Sequence, residues 1–167
     1  MASIIKVDTI QDATGAFEHA RLVQVVNTTT GTMATGTTLM PNDNTIPQNT
    51  EGDQYMTLAI TPTHASNKLL IEVNFEAAHS ASASITAALF QDTTAGALAG
   101  TSDSATGDFR QSISFTHFMT AGQTTETTFK IRMGGDASGT TTLNGQSGAR
   151  NLGGVMASGI TISEIRV

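Results

Sequence analysis

Lys68-Leu-Leu-Ile-Glu-Val-Asn-Phe-Glu-Ala77 decides the fold class. Leu69, Ile71, Val73, Phe75 and Ala77 fall on one side of an extended backbone, and Leu70, Glu72, Asn74 and Glu76 on the other. Successive side chains of a strand point to opposite faces. Alternation over this length therefore predicts a strand with one face on a core and the other in water.

Comparable runs recur on both sides of it. Arg21 to Thr30 is led by Leu22, Val23, Val25 and Val26, and Tyr55 to Ile60 aligns Met56, Leu58 and Ile60. Ser84 to Asp92, Phe109 to Met119 and Thr124 to Met133 alternate again, the last with Phe129, Ile131 and Met133 against Lys130 and Arg132. Thr140 to Asn144 is a short strand, and Ser158 to Val167 carries Ile160, Ile162, Ile165 and Val167. Between the runs, Gly134-Gly-Asp-Ala-Ser-Gly139 reads as a turn cluster and Asn144-Gly145 as a hairpin-type turn. Ala95 to Asp108 is small and polar, a loop with a short edge strand near Leu98. Gly31 to Asn49 reads as a surface excursion anchored by Leu39, Met40 and Ile46, with Pro41 and Pro47 keeping it out of any central strand. Helix is nearly absent, with one turn at most over Thr14 to Arg21. About eight to ten strands at this spacing predict an all-β protein, an antiparallel β-sandwich of jelly-roll type.

The predicted sandwich covers residues 21–167. Residues 1–20 contain a strand-like stretch, Ser3 to Ile10, followed by a turn at Gln11 to Ala16. Ile4, Ile5, Val7 and Ile10 are too apolar to stand in water and too few to fold alone, so this segment reads as a docking arm that binds a partner.

Composition narrows the function. Of 167 residues only 13% are charged and 5% aromatic, while 38% are apolar. Threonine is roughly one residue in six, and its branched β-carbon suits extended, half-buried backbone. Periodic hydrophobicity argues against disorder. The net charge of −6 comes with only eight scattered Lys and Arg residues. Binding to nucleic acid needs a basic stripe against phosphates, so none is expected. No cysteine is present, which excludes disulfides, Cys-ligated zinc and thiol catalysis and is compatible with assembly in a reducing cytoplasm. No apolar run is long enough for a signal peptide or a bilayer-spanning helix, so no membrane insertion is expected.

Candidate chemistry is sparse. His19, His64, His79 and His117 never approach metal-ligand spacing, and His117 falls on the apolar face of its strand, where a core or interface histidine is expected. Gly145-Gln-Ser-Gly-Ala resembles a nucleophile elbow but lacks a glycine at the required place and a strand-to-helix turn. Glu72 and Glu76 share an outward strand face roughly 13 Å apart, too far for a retaining glycosidase pair and long for an inverting one. Asn42-Asp-Asn44 and Asp136 carry oxygens that suit calcium, yet turn chemistry alone accounts for them. Asn27-Thr-Thr29 is a formal glycosylation sequon with no secretory signal beside it. Met56, Met119 and Met133 read as core, while Met33, Met40 and Met156 are open to core packing or subunit contact. The sequence thus predicts no catalytic, cofactor or metal residues. Loops Thr28 to Asn44 and Ala95 to Asp108 are where a sandwich would carry binding residues, although Tyr55 is the lone tyrosine and tryptophan is absent.

Several stretches resemble phage virion proteins. Ser3-Ile-Ile-Lys-Val-Asp-Thr-Ile-Gln-Asp12 is similar to the start of many of them. Pro47-Gln-Asn-Thr-Glu-Gly-Asp-Gln-Tyr-Met-Thr-Leu-Ala-Ile-Thr-Pro62, running into Ser66-Asn-Lys-Leu-Leu-Ile-Glu-Val73, resembles a domain of phage fibre and decoration proteins. Ala88-Leu-Phe-Gln-Asp92, Thr128-Phe-Lys-Ile-Arg-Met-Gly-Gly135, Leu143-Asn-Gly-Gln-Ser-Gly148 and Ser158-Gly-Ile-Thr-Ile-Ser-Glu-Ile165 extend the likeness over nearly the whole chain. The resemblance implies a trimeric β-sandwich on a virus particle, with no catalytic residues to carry over; a place on the outer surface of the virion and no cofactor are expected. A modest core agrees with a homotrimer, since symmetric association buries apolar surface and covers sheet edges. A fibre needs a shaft, and the sequence has no heptads, Gly-X-Y period or internal repeat. A short arm before one compact domain suits a capsid decoration (cement) protein whose arm grips the major capsid protein. The alternative is a tail-fibre or tailspike tip that binds a host surface glycan or receptor.

Overall fold

The computed structural model of the chain describes residues 21–167; the arm residues Ile4, Ile5, Val7 and Ile10 and the turn predicted over Thr14 to Arg21 lie outside them, Arg21 itself excepted. Eight long strands carry the fold: β1 (Arg21–Thr30), β3 (Asp53–Ile60), β4 (Lys68–His79), β5 (Ala83–Gln91), β6 (Ala99–Ala105), β7 (Arg110–Thr120), β8 (Thr127–Gly135) and β12 (Ser158–Arg166). Four short ones fill connections: β2 (Ala34–Gly36), β9 (Thr141–Leu143), β10 (Gly145–Gln146) and β11 (Ala149–Arg150). Among the described residues one 3-10 turn, Leu152–Gly154, is present.

Every pairing is antiparallel, and the long strands pair as nested brackets. β1 pairs with β12, β3 with β8, β4 with β7 and β5 with β6. The first long strand thus meets the last, the second the seventh, the third the sixth and the fourth the fifth. Winding such a nested ribbon into two layers gives one sheet ordered β1-β12-β4-β7 and another ordered β3-β8-β5-β6. That is the jelly roll the sequence predicts. β9 and β2 extend the first sheet beside the far half of β4.

The core lies between the layers. Phe75, Ile71, Ile160 and Ile162 from one sheet meet Ile85, Leu89, Phe129 and Ile131 from the other. Each buried side chain of this size contributes about 1.5–3 kcal/mol through removal from water. The alternation read in Lys68 to Ala77 holds along β4: its odd-numbered residues are buried, while Glu72 and Asn74 are exposed.

Three local expectations are corrected. The segment Ala95 to Asp108 is not mainly loop: Ala99–Ala105 is a full edge strand that pairs with β5 from Ala83 to Leu89. Its residues are small and polar because an edge strand has little core to cover and is protected by polar and charged groups such as Asp103. Gly134 and Gly135 belong to β8 rather than to a turn. A β-carbon at Gly135 would lie 2.5 Å from Nε2 of the buried His79, and one at Gly134 would lie 2.5 Å from the Thr38 carbonyl oxygen, so the strand needs bare backbone here. The hairpin turn is Ser147-Gly148, both at positive φ, joining β10 to β11; Asn144-Gly145 does not form it.

Candidate interaction surfaces

The register sorts the molecule into two ends. Arg21 pairs with Arg166, Ile165 with Lys68 and Lys68 with Thr120, so β1 and β12 start and finish beside the start of β4. At the opposite end lie the turns after β1, β4 and β6 and the long connection from β8 to β12. β1 therefore begins at one end and the 136–157 connection lies at the other, while the excursion after β1 runs back to the first end, where Gln48 bridges Gly96.

The near end is tied by a buried anion. Glu164 is fully buried and accepts hydrogen bonds from Asn67 Nδ2 (2.6 Å), Gln24 Nε2 (2.6 Å), Thr63 N (2.8 Å) and Thr63 Oγ1 (2.8 Å). Burial pushes its pKa up, but the bonds from Asn67, Gln24 and Thr63 outweigh burial and hold the carboxyl at about 2. The charge is thus accommodated by dipoles and fastens β1, the 61–67 connection and β12 together.

The far end has a neutral counterpart. Buried Asn144, at φ +52, donates through Nδ2 to the carbonyls of Thr30 (2.7 Å) and Thr32 (3.1 Å), and its Oδ1 accepts from Ser158 Oγ (2.7 Å). Its backbone N–H donates to the Glu76 carbonyl (2.8 Å). Beyond this knot, Asp108 accepts from Ser147 through both N–H and Oγ, which holds the 107–109 turn against the β10–β11 hairpin. Phe109, Leu152 and Val155 are exposed at this end.

The outer face of the β1-β12-β4-β7 sheet is open. Val25, Ser163, Leu70 and Phe118 are successive cross-strand partners, so they form one row across all four strands. Val25 is 50% exposed and Phe118 57%. Next to that row, Glu72, Asn74, Ser114, Thr116 and Thr161 line a shallow polar trough of about 590 Å³. The outer face of the other sheet is partly covered by the chain itself. There Met40, from the excursion after β1, is fully buried against Ala88 and Phe90, and Arg132 donates to the Glu51 and Gly52 carbonyls. Leu39 and Ile46, predicted as further anchors, are exposed. A groove of about 230 Å³ remains between Pro41–Pro47 and Thr101–Ser102, with Thr86 among its lining residues. The two segments predicted to carry binding residues meet there. Thr86 Oγ1 is the one buried side-chain oxygen among the described residues with no hydrogen-bond partner.

The remaining sequence candidates fall apart as a set. Glu72 and Glu76 sit on the solvent side of β4. His79 is buried under Gly135 and Gly139, His64 bonds to Ser66 within a turn, and His117 lies opposite Ile71. Burial lowers the His117 pKa and favours its neutral ring. Asp43 accepts from the N–H and hydroxyl of Thr45, an Asx turn that lowers its pKa, and Asp136 accepts from the Ser84 N–H. Asn27 donates to Thr161 Oγ1 and the Ile160 carbonyl. Tyr55 is half-buried and donates to the Thr141 carbonyl; burial, with Asp53 nearby, raises its pKa. It offers no exposed aromatic platform. Met40, Met56, Met133 and Met156 are buried. Among the described residues no three His, Asp or Glu side chains gather as a metal site, and no helix is long and apolar enough to cross a membrane. Sequence reasoning missed Glu164 and Asn144. The first sits in an outwardly ordinary Ser-Glu-Ile, and the second was absorbed into a turn signal.

No family model matches the chain, and no curated protein matches it. Several solved structures superpose in part on the chain. A structure described as CBM4 superposes with a TM-score of 0.42 at 16% identity, over 77% of this chain and 76% of that one. A chain from the structure of infectious bursal disease virus, Gx strain, gives 0.41 at 10% identity, over 99% of this chain and 44% of that one. The enzymatically active domain of bacteriophage CBA120 tailspike protein 4 gives 0.30 at 14% identity, over 74% of this chain and 19% of that one. At these identities and scores the likeness carries no conclusion about function.

Proposed function

We propose that this chain is a bacteriophage virion structural protein, a homotrimeric capsid decoration (cement) protein on the outer surface of the particle. Residues 1–20, through Ile4, Ile5, Val7 and Ile10, bind the major capsid protein, and the sandwich clamps neighbouring capsomers. The observation that carries this reading is the polarity of the jelly roll. The arm joins β1 at the end fastened by Glu164, while the loops around Asn144 and Asp108 stand at the opposite end. On this reading the end where β1 begins grips the capsid and the other faces outward. The resemblance of the sequence to phage decoration and fibre proteins supports the same reading. The protein is not an enzyme on this account: among the described residues the acids and imidazoles are spent on turns, core edges and solvated strand faces, and His19 lies outside those residues.

The test compares the full chain with residues 21–167 for binding to purified capsid shells that lack it. The full chain should co-sediment with the shells. The shortened chain should stay folded and trimeric in the supernatant. Equal binding by both would overturn the arm's role, and loss of folding would make the arm a core strand.

The second reading, a tail-fibre or tailspike tip that binds a host surface glycan or receptor, draws on the groove between Pro41–Pro47 and Thr101–Ser102. Binding of the isolated protein to a glycan array, lost in Asp43→Ala or Ser102→Ala, would favour it. A blank array would leave the structural role.

A further inference from the structure

We infer that a hollow on the outer face of the β3-β8-β5-β6 sheet, built on Lys130 and Arg132, binds the carboxylate of an acidic sugar; the inference stands whether the protein sits on the head or the tail. Phe129, Ile131 and Met133 point into the core, so alternation along β8 turns Lys130 and Arg132 outward, about 7 Å apart along the strand. Across the ladder Lys130 pairs with Phe90 of β5 and Arg132 with Gln54 of β3. All four line a hollow of about 260 Å³.

Both cations are held by main-chain oxygens rather than by a carboxylate. Lys130 donates through Nζ to the Asp92 carbonyl (2.6 Å), and Arg132 donates through Nε (2.7 Å) and Nη2 (2.5 Å) to the Glu51 and Gly52 carbonyls. Nη1 of Arg132 has no acceptor among the described residues. Asp92 is the one acidic side chain in the lining, and its Oδ1 already accepts from the Thr128 N–H (2.8 Å). Two cations against one anion leave the hollow positive, in a chain whose net charge is −6. Its walls are also set in advance. Asn49 donates through Nδ2 to the Thr93 (3.3 Å) and Thr94 (3.1 Å) carbonyls, and the Asp92 N–H to the Thr128 carbonyl (2.8 Å). These bonds tie the 49–52 and 92–94 turns to each other and to β8, and a preformed site saves the ordering cost of binding.

The make-up of the hollow selects the ligand class. A guanidinium and an ammonium side by side suit an oxyanion, and the planar fork of arginine fits a carboxylate. A bare phosphate or sulfate would meet Asp92 as a like charge on every side of the ion. A ligand that joins one carboxylate to a ring of hydroxyls resolves this. Its carboxylate turns to the cations, while its hydroxyls donate to Oδ2 of Asp92 and accept from the Gln54 amide. The volume, below the range of roughly 300–1,000 Å³ for drug-sized ligands, suits a single ring. By contrast, the groove between Pro41–Pro47 and Thr101–Ser102 has Asp43 and no cation in its lining, so the two sites call for different ligands.

The full chain is titrated with glucuronate, galacturonate and N-acetylneuraminate, and in parallel with glucose, galactose and inorganic phosphate, by saturation-transfer NMR and calorimetry at neutral pH and low salt. At least one sugar acid should bind with a Kd on the order of 1–10 mM, as expected of one small ring in a shallow site. Neutral sugars and phosphate should bind more weakly by about 10-fold or more, since each charge-assisted hydrogen bond is worth about that factor. Lys130→Met and Arg132→Gln should each weaken the acid by about the same 10-fold with unchanged circular dichroism. Lys68→Met, which removes a cation from the other sheet, should leave binding unchanged. The comparison of acids with neutral sugars needs no variant, so a misfolded Arg132→Gln does not shield the inference. No acid binding in this range overturns the site. Phosphate binding as tightly as the acids overturns the sugar, and neutral sugars doing so overturns the role of charge. Acid binding indifferent to both variants overturns the hollow as its place.

Discussion

Glu164 and Asn67, 97 positions apart in sequence, are joined by a 2.6 Å hydrogen bond at a site from which water is excluded. Asn67 ends the connection before β4 and Glu164 lies in β12, so the contact locks neighbouring strands of one sheet at the end where the arm enters. Gln24 brings β1 into the same knot and donates as well to the Thr61 carbonyl at 2.8 Å.

Removing that carboxylate strands several donors at once. Glu164→Ala should destabilise the fold by about 3 kcal/mol, because buried groups left without partners carry their full desolvation penalty. Asn67→Ala should cost less, since Gln24 and Thr63 still serve the carboxylate. Urea unfolding at one fixed protein concentration measures both, and equal losses would contradict the shared network.

The same group gives an acid signature. Its folded pKa of about 2 lies below the ordinary glutamate value of 4.5, so the folded state holds the deprotonated form more strongly than the unfolded chain does. The stability this confers is complete above about pH 4.5 and is lost as pH falls toward 2. The difference in urea midpoint between wild type and Glu164→Gln should therefore be constant from pH 7 to 5 and shrink between pH 4.5 and 2. A difference that stays constant down to pH 2 would show that Glu164 is not held as a buried anion.

Asn144 tests the far end. It combines side-chain bonds to β1, its extension and β12 with a positive φ of 52. Asn144→Gly keeps the backbone conformation and loses the bonds, whereas Asn144→Ala loses both. Expected losses are about 2 kcal/mol for glycine and about 3 for alanine. Alanine no worse than glycine would remove backbone strain from the account.

Gly135 and His79 make a steric pair. Gly135→Ala drives a β-carbon to 2.5 Å from the His79 ring and should cost about 1–3 kcal/mol. In the His79→Ala background the same substitution should be milder, because the ring is gone. A double-mutant cycle with zero coupling would contradict this.

These particulars also show what the sequence could express. Wherever a strand lies half on the core, as from Lys68 to Ala77, alternation reports the physical cause directly, and the long strands were legible. β6 was not, because an edge strand of Gly, Thr and Ser has no apolar face to alternate. Gly134-Gly135 reads like a turn in sequence because flexibility and lack of bulk are written with the same residue. Here lack of bulk governs, set by His79 and Thr38 far away in the chain. The row Val25–Leu70–Phe118 was invisible for a related reason. Each member is an ordinary outward residue on its own strand, and only the register between strands makes them neighbours. Glu164 needed partners from two other segments, β1 and the 61–67 connection, before it could be recognised.

The central claim, that the protein decorates a phage capsid, is tested most directly by its copy number in purified virions, counted by quantitative mass spectrometry against the major capsid protein. Decoration predicts hundreds of copies per particle, as expected for a protein seated at threefold points across the whole shell. A few to a few dozen copies would contradict it and move the protein to the tail.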